Sequence, residues 1–261
     1  MKIFIPASST TDSTALLYHV LKNTDHEVIS RIIRVDTGGE DLEQHPYTCG
    51  WLKDNVRDFD YGYSESEKIK YKNIVDDVHY NMALLANQFK VDCIYMGYNS
   101  FNWSQSNWFF NTDTTLEDFY RHDNKFIRPR SGHLALSDNT DIPIYWPFMN
   151  RDSKPMGRWE TFETIPTELR KLTSSGCNRC GHCNYCKVRY MYYLLKKAGR
   201  TTEEIDDLIQ KAGRYGKYFN PNDLDYNGGV GNVQNRNRAF INLELPKGRK
   251  QINEIFEFGY A

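Results

Sequence analysis

The sequence predicts an α/β protein in which a parallel sheet is flanked by helices. Three observations carry that prediction. Short apolar, β-branched runs recur in the first part of the chain. Amphipathic stretches of helical spacing separate them, and Ser, Thr, Asp and Gly close the runs. Lys2 to Ala7 is the first such run and reads as a buried strand. Asp12 opens a helix with Leu16, Leu17, Val20 and Leu21 on one face. Val28 to Val35 (VISRIIRV) reads as the second strand, closed by Asp36, Thr37, Gly38 and Gly39. Pro46 to Phe59 is a candidate helix and Lys68 to Lys72 a candidate short strand. Asn73 to Phe89 carries Ile74, Val78, Met82, Leu85 and Phe89 near helical spacing, and Asp92 to Gly97 (DCIYMG) is another buried strand. The resulting β-α-β-α-β-α-β order is that of parallel strands joined by crossover helices.

Tyr98 to Asp141 is rich in Asn, Ser, Trp and Phe with weak periodicity, the composition of a long functional loop or lid. Ile142 to Phe148 (IPIYWPF) reads as a strand whose prolines confine it to a sheet edge. Ser153 to Leu172 is helical in part, and Val188 to Lys197 is helical. Thr201 with Glu204 is a capping-box signature for a helix reaching about Ala212. Asn220 to Asn237 is an Asn- and Gly-rich loop, and Ala239 to Leu245 is a candidate late strand.

Lysine and arginine number 33 against 34 acidic residues, so no global field favours a nucleic-acid partner. A 39% hydrophobic content is enough to build a core. No window approaches the roughly 20 apolar residues of a membrane span. The N-terminus lacks the charged lead and long apolar stretch of a signal peptide. Of six cysteines, four cluster, which favours reduced metal ligands over a disulfide framework and hence a cytoplasmic location. The cluster is Cys177-Asn-Arg-Cys180-Gly-His-Cys183-Asn-Tyr-Cys186. Three interlocked C-x-x-C steps suit a tetrahedral thiolate zinc site. An iron–sulfur cluster also takes closely spaced cysteines, but the ferredoxin run has three residues before its last cysteine, then proline. Here two residues precede Cys186 and Lys187 follows, so zinc is the expectation. Cys93, in an apolar strand, reads as a small core residue.

Between the first strand and first helix lies Ser8-Ser9-Thr10-Thr11-Asp12-Ser13-Thr14. Backbone amides and the helix dipole favour an anion at such a place, and hydroxyls add donors. The plain alternative is that these residues only cap the helix. The segment resembles the pyrophosphate loop of the N-type ATP pyrophosphatases, S-G-G-x-D-S, a family with an adenine nucleotide alpha hydrolase-like, Rossmann-like fold. Ser8, Asp12, Ser13 and the following Thr14 match. Ser9 and Thr10 stand where that family has glycines. Glycine there reaches positive φ without cost, whereas a β-branched Thr would be strained. The loop therefore either takes another path or grips ATP less well.

The cysteine segment resembles that of the 7-cyano-7-deazaguanine (preQ0) synthases, the QueC family, at Cys180, Gly181, Cys183, Cys186 and Arg189. Cys177 stands as the fourth ligand after a contracted spacer. The resemblance also places Asp36 at the end of strand two and Gly97 at a second substrate-facing loop, with Lys154 after Pro147 as a candidate catalytic cation. It implies three regions: a nucleotide-binding domain over 1–150, a helical and zinc-binding segment over 151–200, and a C-terminal helix and tail over 201–261. It further implies an ATP- and magnesium-dependent ligase that joins 7-carboxy-7-deazaguanine and ammonia. Ser8 to Thr14 would hold the phosphates, Asp12 would orient metal or water, and a structural zinc would sit on Cys177, Cys180, Cys183 and Cys186. Trp103 and Trp108 are candidates to stack on the deazapurine. Partners are then small molecules, with no membrane and no nucleic acid, and a homodimer remains open. Two alternatives stand beside this one: a diverged, non-catalytic binder of nucleotide or base, and a tRNA sulfurtransferase of the same loop superfamily.

Overall fold

The computed structural model describes residues 1–34, 40–65, 74–97, 136, 138–148, 156–173 and 192–206. Five strands, β1 (Lys2–Pro6), β2 (Glu27–Arg34), β3 (Asp60–Glu65), β4 (Cys93–Tyr95) and β5 (Ile144–Tyr145), form one sheet in the order β3-β2-β1-β4-β5. Every pairing is parallel, with Phe4 opposite both Ile29 and Ile94, and Ile94 opposite Ile144. The expected parallel α/β architecture is therefore present.

A central parallel strand is buried on both faces, which is why β1 is continuously apolar. Ile3 and Ile5 pack with Leu16, Leu17, Val20 and Leu21 of α1 (Thr11–Asn23) and with Cys49 and Leu52 of α2 (Glu40–Asn55). Phe4 faces the other way, among Ile29, Ile94, Ile144 and the Ala83 and Ala86 pair of α3 (Ile74–Phe89). Phe4 is wholly buried, which contributes about 2–3 kcal/mol from its side chain.

Several elements differ in their bounds from the expectation. The helix expected from Pro46 to Phe59 starts at Glu40 and encloses the proline. Proline at 46 cannot donate to the Leu42 carbonyl, and the Tyr63 hydroxyl donates to that carbonyl instead, at 3.2 Å. The third strand is Asp60–Glu65, where half-exposed tyrosines hid it; Lys68 to Lys72 lies outside the described residues. Ser153 to Leu172 is helical in part, as expected, with two short helices, α4 (Arg158–Glu163) and α5 (Thr167–Leu172), separated at Ile165 and Pro166. The strand expected over 142–148 pairs only at Ile144 and Tyr145, between its prolines and on the sheet edge. The loops and strand expected at 98–135 and 207–261 lie outside the described residues.

The segment after the cysteines returns to α4 through a polar knot. Tyr192 and Thr202 hydroxyls donate to the two Glu163 oxygens at 2.5 and 2.6 Å, Lys196 Nζ stands 3.1 Å from Glu163, and Trp159 stacks on Tyr192 at 4.0 Å. Thr201 and Glu204 form the expected reciprocal cap. Asp206, at the end of this segment, accepts the Trp159 and Glu160 amides at 3.0 and 2.9 Å. It caps α4 from 47 residues away, in place of a side chain at the N-cap, Gly157. The carboxylate occupies the space a Cβ on residue 157 would need.

We expect Gly157→Ala to destabilise the fold by about 2 kcal/mol or more, from overpacking and loss of the cap. Urea denaturation reads this directly. A variant as stable as wild type would mean the cap contributes nothing.

Candidate functional site

β1 has β2 on one side and β4 on the other, so chain direction across the sheet reverses beside β1. In an open parallel sheet the crevice beyond the carboxyl ends of the strands at such a reversal is the ligand site. Two loops meet there. One is Ser8 to Thr10, between β1 and α1; the other contains Gly97, just after β4. A Cβ on Gly97 would lie 2.8 Å from the Asp12 carbonyl oxygen and 3.1 Å from the Ser13 amide nitrogen. Glycine is thus what lets the second loop reach the backbone of the first helical turn.

The first loop gathers three hydroxyls. Ser8 Oγ lies 2.9 Å from Thr10 Oγ1 and 3.4 Å from Ser13 Oγ, and Ser13 Oγ donates to the Thr10 carbonyl at 3.2 Å. The Ser8 amide donates to Ser13 Oγ at 3.2 Å. Thr10 takes the N-cap position with extended backbone, but its side chain makes no cap hydrogen bond. Capping alone therefore does not explain this loop. The Thr11 and Ser13 amides belong to the first turn, which has no intrahelical acceptors, and the positive end of the helix dipole lies there. The Thr14 hydroxyl is fully buried and has no hydrogen-bond partner.

The two positions expected to be glycine behave differently. Ser9 adopts φ +58°, the left-handed region. Thr10 has φ −72°, so its β-branched side chain carries no strain. The backbone thus makes the positive-φ turn of a glycine with a serine. The Ser9 side chain is buried, with Oγ 3.2 Å from His45 Nδ1, while the Ser8–Thr10–Ser13 hydroxyl cluster forms apart from it.

His45 sits on α2, fully buried, with Tyr61 and Tyr63 edge-on to its ring at 6.3 and 5.6 Å. Burial lowers its pKa to about 4, outweighing a bond to the Gly62 backbone, and Arg31 adds to the lowering. It is therefore a neutral imidazole at pH 7. Cys49, one turn further on, lies 3.6 Å from His45 Nδ1; burial pushes its thiol up to about 12. Burial also raises the Cys93 thiol, so neither cysteine is a ready nucleophile.

Of the residues singled out in the sequence, Ser8, Ser9, Thr10, Thr11, Asp12, Ser13, Thr14 and Gly97 come together. Asp36, Lys154, Cys177, Cys180, Cys183 and Cys186 lie outside the described residues, as do Trp103 and Trp108. Among the described residues no group of three or more His, Cys, Asp or Glu is placed to hold a metal. The donors that fit an anion are hydroxyls and amides, and the donors that fit a soft metal are the four clustered cysteines. Sequence reasoning missed His45. Its only signal was the helical i, i+4 spacing to Cys49, which nothing tied to residue 9.

No family model matches the chain, and no curated protein matches it. Among solved structures the chain is similar to the U34-tRNA thiolase NcsA from Methanococcus maripaludis with its [4Fe-4S] cluster. The two are 10% identical, the match covers 94% of this chain and 74% of that one, and the TM-score is 0.46.

His45 and Asp206 bias stability in opposite directions with pH. His45 resists protonation when folded, so acidification from 6.5 to about 4 costs stability. Burial of Asp206 raises its pKa to about 6, so the folded chain takes up that proton first and acidification from 6 toward 3.8 adds stability. Each effect is at most about 3 kcal/mol. Relative to wild type, Asp206→Asn should lose stability on going from pH 6.5 to 4, and His45→Asn should gain it. Urea midpoints across that range read both slopes, and parallel curves for all three proteins would refute the assignment.

Proposed function

We propose that the Ser8–Thr14 loop binds the phosphates of ATP, and that the protein is an ATP-dependent ligase of the QueC type within the N-type ATP pyrophosphatases. The observation that carries the reading is the φ +58° of Ser9, a conformation that glycine adopts without cost, at a position where the resembled loop has glycine. The close approach of Gly97 to Asp12 and the orphaned Thr14 hydroxyl support it. The substrate in this reading is 7-carboxy-7-deazaguanine, with ammonia as nucleophile and preQ0 as product. The four-cysteine resemblance supplies that choice.

The residues divide the work as follows. Thr11 and Ser13 amides, with the Ser8, Thr10 and Ser13 hydroxyls, hold the pyrophosphate end against the helix dipole. Asp12, in the first turn, would orient a magnesium ion or its water. Gly97 keeps the facing loop close enough to close the crevice over the reacting groups. Lys154 is assigned to offset developing negative charge and Asp36 to the nucleotide. ATP, when bound, would supply the activated phosphorus that turns a carboxylate oxygen into a leaving group for ammonia, giving an amide, and a second ATP would likewise carry off the amide oxygen to leave the nitrile. Zinc on Cys177, Cys180, Cys183 and Cys186 would be structural, since four thiolates leave no open coordination position. Sulfur transfer draws no support from Cys49 or Cys93, both buried with raised thiol pKa values.

Incubation with ATP, magnesium, ammonium and 7-carboxy-7-deazaguanine should release AMP and pyrophosphate only when the acid is present. ATP binding without turnover would instead indicate a non-catalytic binder, and tRNA-dependent release would indicate the sulfurtransferase. Ser13→Ala should weaken ATP binding about 10-fold, the scale of one hydrogen bond to a charged oxygen. Metal analysis should find about one zinc per chain and no visible absorbance, following the spacing rules for thiolate sites. A coloured, iron-containing protein overturns the zinc assignment.

A further inference from the structure

We propose that His45 is a positioning residue for the phosphate loop: its Nδ1 accepts the Ser9 hydroxyl and so holds a serine in the backbone conformation that glycine would adopt. The inference rests on the ATP-loop reading above. Two placements carry it. Ser9 is 1% exposed, and its hydroxyl lies 3.2 Å from a fully buried imidazole on α2. Serine in the left-handed region is unfavourable by itself and persists only where its surroundings fix it. A buried hydroxyl also needs a partner. The His45 contact answers both demands.

The ring is built to accept. Burial keeps it neutral, and one ring N–H donates a hydrogen bond to the Gly62 backbone, so the other ring nitrogen remains a lone-pair acceptor. α2 is anchored in turn by the Thr48 hydroxyl, which donates to the Leu172 carbonyl at 3.0 Å, and by Leu52, which is fully buried. The acceptor therefore sits on a rigid element. Turning the Ser9 Oγ toward α2 also keeps it out of the Ser8–Thr10–Ser13 cluster, leaving that cluster to the anion.

A double-mutant cycle tests this, using the full chain and Mg·ATP as probe, with thermal melts confirming that each variant folds. His45→Leu removes the acceptor, and His45→Asn keeps an acceptor near the Nδ1 position. Ser9→Gly removes the need for one. Calorimetry should show ATP affinity falling about 10-fold in H45L, the scale of a buried donor left unpaired. H45N should restore most of that loss. In the S9G background, adding H45L should change affinity less than about 2-fold, since independent sites add and coupled ones do not. Equal losses in both backgrounds, or no loss in H45L alone, would overturn the inference. Hydrogen exchange of the Thr10 to Ser13 amides gives a second reading without nucleotide. H45L should accelerate it about 10-fold only where Ser9 is present. If wild type binds no ATP, the functional reading fails, and the exchange cycle still decides the role of His45.

Discussion

A single left-handed residue sets the geometry of the crevice. Ser9 reverses the chain between the end of β1 and the start of α1, so that the helix points its N-terminus across the carboxyl edge of the sheet. Every other feature of the site is placed by that turn. The three hydroxyls converge because Ser8 and Thr10 flank it and Ser13 returns one helical turn later. Gly97 approaches Asp12 and Ser13 because α1 begins where the turn leaves it. An L-residue adopts this conformation at a cost of order 1–3 kcal/mol, which the packing of α2 beneath it offsets.

The rest of the fold makes the turn rigid. α1 lies on a strand buried on both faces, and its Leu16, Leu17 and Leu21 interlock with Ile3 and Ile5. α2 contacts the same cluster through Cys49 and Leu52, so loop and histidine are referenced to one core. His19 on α1 reaches the Thr164 hydroxyl beyond α4 at 2.8 Å and lies edge-on to Phe148. The helices that follow the sheet are thereby tied to the same face as the Ser8–Thr14 loop.

Much of this was legible in the sequence wherever the determining forces are local. β1, β2, α1 and α3 declare themselves through apolar spacing, and the Thr201–Glu204 cap is a three-residue signal that the structure reproduces. What stayed hidden depends on distant partners. Pro46 reads as a helix start because proline favours the first turn, yet α2 runs through it once Tyr63 supplies the missing donor. β3 shows only alternating tyrosines and polar residues, since an edge strand need bury little. The hydroxyl cluster of the glycine-free loop was readable from its Ser and Thr residues. The partner that meets the Ser9 hydroxyl, His45, lies 36 residues further along and left no local signal.

The carboxylate of Asp206 has a consequence for how the chain is made. The amino end of α4 has its amides completed only by a residue 47 positions downstream of Trp159, so the ribosome must deliver the whole cysteine segment before that helix is finished. At ordinary synthesis rates of about 5–20 residues per second, this leaves an interval of seconds in which the sheet can already be assembling. Vectorial synthesis thus orders the described elements in time, with the sheet able to assemble first and the amino end of α4 closing later.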